Sequence, residues 1–426
     1  MSFLAKYFVV ATLAAMTSVV AFDDTSAAEC GDSVRYLSDE NDAYKNLEGR
    51  QREIYEGNDD YQDRDPYLRE QLATKEGIHK FEDVVRILTE MDLVDDELGR
   101  QMVQFLRCEP LPTRLESPLS FMLLKNSLES LSSARTKLYP NSQLPLFGSM
   151  PTGTIDAQAT VFEGTEDPII ILDRNIYQFT GKFSKAVSAT IPIGSDGDNV
   201  SLSYDKEEMR RRLHENPWIV SDFTEAMLLL VTNGAPNAAH ETLLDADHNR
   251  MHARLVNGLD TFIVGHELGH IVLGHARNST HRLHMAGDGS DRPIEVVDHP
   301  QDDELAADEV GLRLLLVSQA ANGGPGDLLD AAISAAGSDL FFRLLDLADQ
   351  YRIKIGMPSF SDKVHPTAAA RSENLDRYLQ SPDIAGIGLE NFPDFRLLTR
   401  NALEVLIEEA TPALDKAFDE YKTQKH

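Results

Sequence analysis

Thr261 to His275 reads TFIVGHELGHIVLGH, which sets His266 and His270 four residues apart with Glu267 between them. In an α-helix a four-residue step overshoots one turn by about 40°, so the two imidazoles share a face. Neutral imidazoles in that arrangement can grip one cation. Glu267 lies about 60° from His270 on the same wheel, within reach of a water on that cation. Zinc brings the pKa of such a water to about 7, and a carboxylate can then take its proton. Phe262, Ile263, Val264, Leu268, Ile271, Val272 and Leu273 make the segment apolar nearly all round. Polar groups on so buried a helix need partners, and a metal would supply one. The same five-residue pattern also arises by chance, so a structural protein with a fortuitous match is the competing reading.

A catalytic zinc takes three protein ligands and keeps one position open. His275 follows His270 by five residues, about 140° round the wheel, the wrong direction for a straight helix. Metzincins place Gly and His at the third and sixth positions after the second His. Leu273 and Ala276 occupy those positions, so that class is excluded. Gln301 to Leu316, QDDELAADEVGLRLLL, is a helix that opens acidic and turns apolar. Glu304 can complete the metal shell. Asp308, one turn on, can accept the second ring N–H of a ligand His and so fix its tautomer. Asp302, Asp303 and Glu309 read instead as solvated acids favoured by the helix dipole. That plainer reading is also open for Glu304 and Asp308.

The elements that must position these residues are mainly helical. Apolar residues between Phe81 and Arg107 recur at helical spacing, and from 206 onward the pattern is helical almost to the end, broken at Asn322 to Gly326. Pro168 to Asp173 is a short β-branched run that reads as a buried strand. Ala186 to Ile193 and Asn199 to Tyr204 read similarly, with Gly194 to Gly197 as the turn between them. The expected fold is α+β, mainly α: a small sheet and the active-site helix form the core, with helical segments at both ends. The expected divisions are a signal peptide at 1–28, an acidic and mainly helical region at 29–140, a domain at 141–380 that carries the metal-site residues, and C-terminal helices at 381–426.

The chain has 426 residues, with 40 basic against 70 acidic and a net charge of −30. Such a surface repels phosphate backbones, which excludes nucleic acid as a partner. Its first effect is solubility; a preference for basic substrates is the sharper alternative. Lys6 precedes an apolar run from Tyr7 to Phe22, and Ser26, Ala27 and Ala28 follow it. The run is shorter than the roughly 20 residues a membrane helix needs but suits a cleavable export signal. An uncleaved anchor is the alternative. The chain is therefore expected to be exported, periplasmic or secreted, with no membrane span after signal removal. Cys30 and Cys108 are its two cysteines, and an exported protein could pair them.

His266-Glu-Leu-Gly-His270 with His275, then Glu304-Leu-Ala-Ala-Asp308 with Gly311, then His365-Pro-Thr-Ala-Ala-Ala-Arg371 form an ordered set. The set resembles the gluzincin zinc metallopeptidases of the CAAX-prenyl-protease and HtpX-like group, over roughly residues 255 to 375. The resemblance implies a zincin-like core holding one zinc ion on His266, His270 and Glu304, with Glu267 as general base and Asp308 behind a ligand. It places His365 and Arg371 near the reacting centre, where one of them could bond the tetrahedral oxyanion. His365-Pro-Thr followed by a helix is equally an ordinary turn and cap. Members with several membrane helices differ from this chain, which resembles a soluble, exported relative. The insertion from Arg277 to Pro300 reads as a surface loop, or else as a lid. A peptide or protein is the implied substrate. A non-catalytic, zinc-stabilised binding or chaperone module is the rival function.

Overall fold

The structure is a computed structural model. It describes residues 35–56, 86, 104 and 109–425, with breaks at 151, 153–154, 197–198, 237–241, 278–279, 286–292, 321–324, 358–365, 385–386, 388 and 390–393. The expected signal peptide, both cysteines and His365 lie outside the described residues. So does most of 81–107, where the described Arg86 and Gln104 are helical.

Ten α-helices, two short 3₁₀ helices and seven strands have assigned bounds among the described residues. The helices are α1 (Asp42–Glu56), α2 (Pro118–Leu138), α3 (Ile176–Thr190), α4 (Lys206–Glu215), α5 (Trp218–Asn233), α6 (Ala246–Val272), α7 (Gln301–Gln319), α8 (Pro325–Lys354), α9 (Ala368–Leu379) and α10 (Phe395–Lys425). The strands are β1 (Leu146–Met150), β2 (Ala157–Val161), β3 (Pro168–Asp173), β4 (Ile193–Asp196), β5 (Asn199–Leu202), β6 (Thr280–Met285) and β7 (Pro293–Asp298). The chain is thus mainly helical with a small sheet. No described helix is long and apolar enough to cross a membrane.

The core is built around α6. Asp245 caps it by accepting from the Asp247 and His248 backbone N–H groups at 3.1 and 3.0 Å. Gly274, at φ 80°, takes the left-handed conformation just beyond its end. Every residue from Gly258 to His270 is buried, which requires packing all round. Helices α2, α3, α7 and α8 supply it. One hydrophobic cluster runs from Phe121 on α2 through Phe262 and Phe342 to Phe418 on α10.

The three-stranded sheet has the order β1-β3-β2, with β3 parallel to β1 and antiparallel to β2. Strand β3 is the expected run at 168–173, and its period-two alternation serves two cores. Ile170 and Leu172 join the helical core. Ile169 and Ile171 pack with Tyr44, Leu47 and Ile54 of α1.

Three local expectations are corrected. Ala186 to Thr190 is the last turn of α3, not a strand. Phe179, Phe183 and Val187 recur at helical spacing and are fully buried. The Ser184 and Thr190 hydroxyls donate to the carbonyls of Thr180 and Ala186, at 2.6 and 2.9 Å, which satisfies polar groups inside the helix. Gly194 to Asp196 are not a turn: they belong to β4, which pairs antiparallel with β5. The segment from Arg277 to Pro300 contains the antiparallel pair β6 and β7, so the chain is not continuously helical after 206.

The contact between α6 and α7 is made by backbone. A Cβ added at Gly311 would lie 2.6 Å from the His266 nitrogen, and one at Gly269 would lie 2.8 Å from the Ala307 oxygen. A Cβ at Gly265 would meet the Gly311 oxygen at 3.1 Å. Residue 265 faces 311 and residue 269 faces 307, so the helices run antiparallel. Gly311→Ala has no low-strain solution, because the obstructing atoms are main chain. It should destabilise the fold by about 1–3 kcal/mol, as overpacking does, seen as a lower denaturation midpoint.

Farther back on α6, Asp260 is 1 % exposed. Burial pushes its carboxyl from 3.8 up to about 8, against a partial offset from Thr180. The unfolded chain releases this proton near 3.8 and the folded chain near 8. Stability should therefore fall as pH rises between those values, by up to about 1.4 kcal/mol per pH unit from this group. Asp260→Asn should remove that part of the slope in urea titrations run at pH 5 and pH 8.

Candidate metal centre

The last two turns of α6 carry His266, Glu267 and His270, and the first two turns of α7 carry Glu304 and Asp308. Because the helices touch at their glycines, the Glu304 side chain spans to both imidazoles. Its Oε2 lies 3.4 Å from His266 Nε2 and its Oε1 lies 3.4 Å from His270 Nε2. The two Nε2 atoms are 3.1 Å apart. All three residues are buried, and one ligand atom from each falls within 4.8 Å of the others. The group could hold a metal ion.

A second layer fixes His266. Its Nδ1 lies 2.9 Å from Asp308 Oδ1, and Asp308 is fully buried. A ring N–H donated to that carboxylate leaves the Nε2 lone pair facing Glu304 and His270. Arg371 reaches in from α9, donating from Nε and Nη2 to the two Asp308 oxygens at 2.8 and 2.6 Å. Its Nη1 lies 3.4 Å from Glu304 Oε2. The guanidinium carbon sits 4.5 Å from the centroid of the Phe342 ring, a cation–π contact. Helix α9 is capped by Thr367, whose hydroxyl accepts from Ala370 N at 3.2 Å. The cap expected from the His-Pro-Thr segment is present at Thr367, while Arg371 stands at the centre.

Electrostatics distinguishes the residues. Without a cation, burial and Arg371 oppose protonation of His266, but Asp308 and Glu304 outweigh them and raise it to about 10. Burial holds His270 well below the usual histidine range. Burial also pushes Glu267 up to about 8; the charges of Glu304 and Asp156 add to this, while those of His266 and Arg371 oppose it. Glu267 Oε1 is 3.8 Å from His266 Nε2, beside the triad.

Of the residues singled out in the sequence, the fold brings together His266, Glu267, His270, Glu304, Asp308 and Arg371. His275 sits behind His270, with the two Nδ1 atoms 3.2 Å apart, and is not in the triad. Sequence reasoning missed His299, whose ring stacks on His270 at 3.8 Å between centroids. It also missed Phe342 and Asp156. Their neighbours in the chain carry no metal-site spacing, so only the fold reveals them. No family model, curated protein or solved structure matches the chain.

Arg371 supplies the positive charge that buried Asp308 faces. Arg371→Leu leaves that carboxylate with His266 alone and takes the guanidinium from Glu304, which should cost about 3–5 kcal/mol in chemical denaturation. Metal affinity in a competition titration should fall about 10–100-fold. Arg371→Lys should restore only part of either, because an ammonium cannot make the two-pronged contact.

Proposed function

We propose that this chain is a zinc-dependent endopeptidase of the gluzincin type, with a zincin-like core and an exported, soluble location. The observation that carries the proposal is the closeness of the ligand atoms. Bonds of about 2.0–2.2 Å to a tetrahedral zinc put neighbouring ligand atoms about 3.3–3.6 Å apart. Here the two Nε2 atoms are 3.1 Å apart, and each lies 3.4 Å from its own oxygen of Glu304. Two imidazoles and a carboxylate suit zinc better than calcium or magnesium, which favour all-oxygen shells.

His266, His270 and Glu304 would hold the ion. When bound, zinc supplies Lewis acidity to a scissile carbonyl and acidifies water at neutral pH. Glu267 is the general base. Its carboxylate accepts a proton from the attacking water and passes it to the leaving amide nitrogen as the C–N bond breaks. Burial raises the proton affinity of Glu267, which suits a group that must hold the proton between taking it and giving it up. Asp308 holds the His266 tautomer, and Arg371 holds Asp308 and Glu304. The substrate is a peptide or protein.

Glu267→Gln removes the base and keeps the shape. The variant should retain about one zinc per chain by elemental analysis, while cleavage of denatured casein falls about 10²–10⁴-fold or more. Undiminished cleavage by this variant would sink the assignment. Zinc bound by the wild-type chain without turnover of a diverse peptide library would favour the non-catalytic binding module instead.

A further inference from the structure

The two ligand imidazoles are held differently. His266 has a carboxylate on its Nδ1. His270 has instead two more imidazoles, neither of them in the triad. His275 Nδ1 lies 3.2 Å from His270 Nδ1. For His270 to turn its Nε2 lone pair to a cation, its own Nδ1 must carry the hydrogen. His275 Nδ1 then accepts, and the His275 hydrogen moves to Nε2, which points at Asp303 Oδ1 3.6 Å away. This chain of contacts sets the tautomer of His270 and acts on the edges of its ring, not on its face.

The face of the ring is covered by His299. The His270 and His299 centroids are 3.8 Å apart and their planes differ by 16°, a parallel stack, and His299 is buried. His299 is itself well anchored. It directly follows β7, whose Val297 N–H donates to the buried Gln158 side chain of β2 at 3.2 Å. Pro300 then opens α7, which carries Glu304. A ring held at both ends of its segment is suited to hold another ring flat.

We propose that His299 is a positioning residue for the metal centre: its ring, presented by β7 and stacked on His270, fixes the plane in which His270 offers Nε2 to the ion. The inference rests on the reading of His270 as a metal ligand. It assigns a role to the segment between Arg277 and Pro300 beyond that of a loop, since the hairpin's last strand delivers the stacking ring.

The test uses the full chain with His299→Ala and His299→Phe. The first removes the ring, and the second keeps an aromatic face without ring nitrogens. Zinc affinity by chelator competition should fall about 10–100-fold in H299A, the range for groups that orient a ligand. In H299F it should stay within about 3-fold of wild type. The visible absorption of the cobalt-substituted protein should shift in H299A and match wild type in H299F, which a general loss of stability would not produce. Nuclear magnetic resonance of the metal-free protein reads the stack directly: the ring-current shift on the His270 carbon-bound protons should vanish in H299A and persist in H299F. Wild-type affinity and an unchanged cobalt spectrum in H299A would overturn the proposal. So would an H299F variant as impaired as H299A. A wild-type chain that binds no zinc, with the ring-current shift intact, would bring down the metal reading itself and the role of His299 with it.

Discussion

The centre depends on two helix backbones touching. Helices that pack through ordinary side chains lie about 8–10 Å apart. At α6 and α7 the intervening side chains are hydrogens or a methyl: Gly265, Gly269, Ala307 and Gly311. That closeness lets one glutamate side chain lie 3.4 Å from each of two histidines on the opposite helix. It also places Asp308 behind His266 rather than beyond its reach. The same device recurs two turns farther back along α6, where a Cβ at Gly258 would lie 2.6 Å from Ser334 Cα of α8. Helix α6 is thus met by main chain at two levels along its length, and the triad is held by contacts that leave little room to adjust.

Charge is the second constraint. Glu267, Glu304 and Asp308 are buried together, with Arg371 as the facing guanidinium. Buried carboxylates in such a cluster are costly unless positive charge is brought to them. The metal-free protein answers with protons, holding them on His266 and Glu267. A divalent cation would answer the same deficit without those protons. The demand for positive charge and the arrangement of lone pairs therefore point in one direction. Binding of the ion should release protons, as binding at any site of protonated ligands does.

The two histidines of the triad illustrate different solutions to one problem. To hold a cation, each would keep a lone pair aimed at a point between the helices. His266 is fixed by a carboxylate that is itself held by an arginine from α9. His270 is bracketed by His275 and His299, which reach it from the turn after α6 and from the end of β7. The site thus draws on elements widely separated in the chain, and the hairpin and α9 belong to it as much as the two central helices do.

What the sequence alone determined was local. The helical spacing of His266, Glu267 and His270 depends only on a 3.6-residue period, and so does the pairing of Glu304 with Asp308. The strand β3 was legible from composition, as a short β-branched run. Ala186 to Ile193 misled because a short apolar run looks alike in a buried helix and a buried strand. Phe179 and Phe183, farther back, decide which it is. The strands within Arg277 to Pro300 escaped notice because β6, THRLHM, is polar and the short β-branched run of β7, PIEVVD, sits in an insertion that is polar as a whole. Tertiary structure alone decided that α7 meets α6 through glycine, that Arg371 faces Asp308, and that His299 lies on His270. Those are contacts between residues tens of positions apart, and their geometry follows from how the helices pack, which no local period encodes.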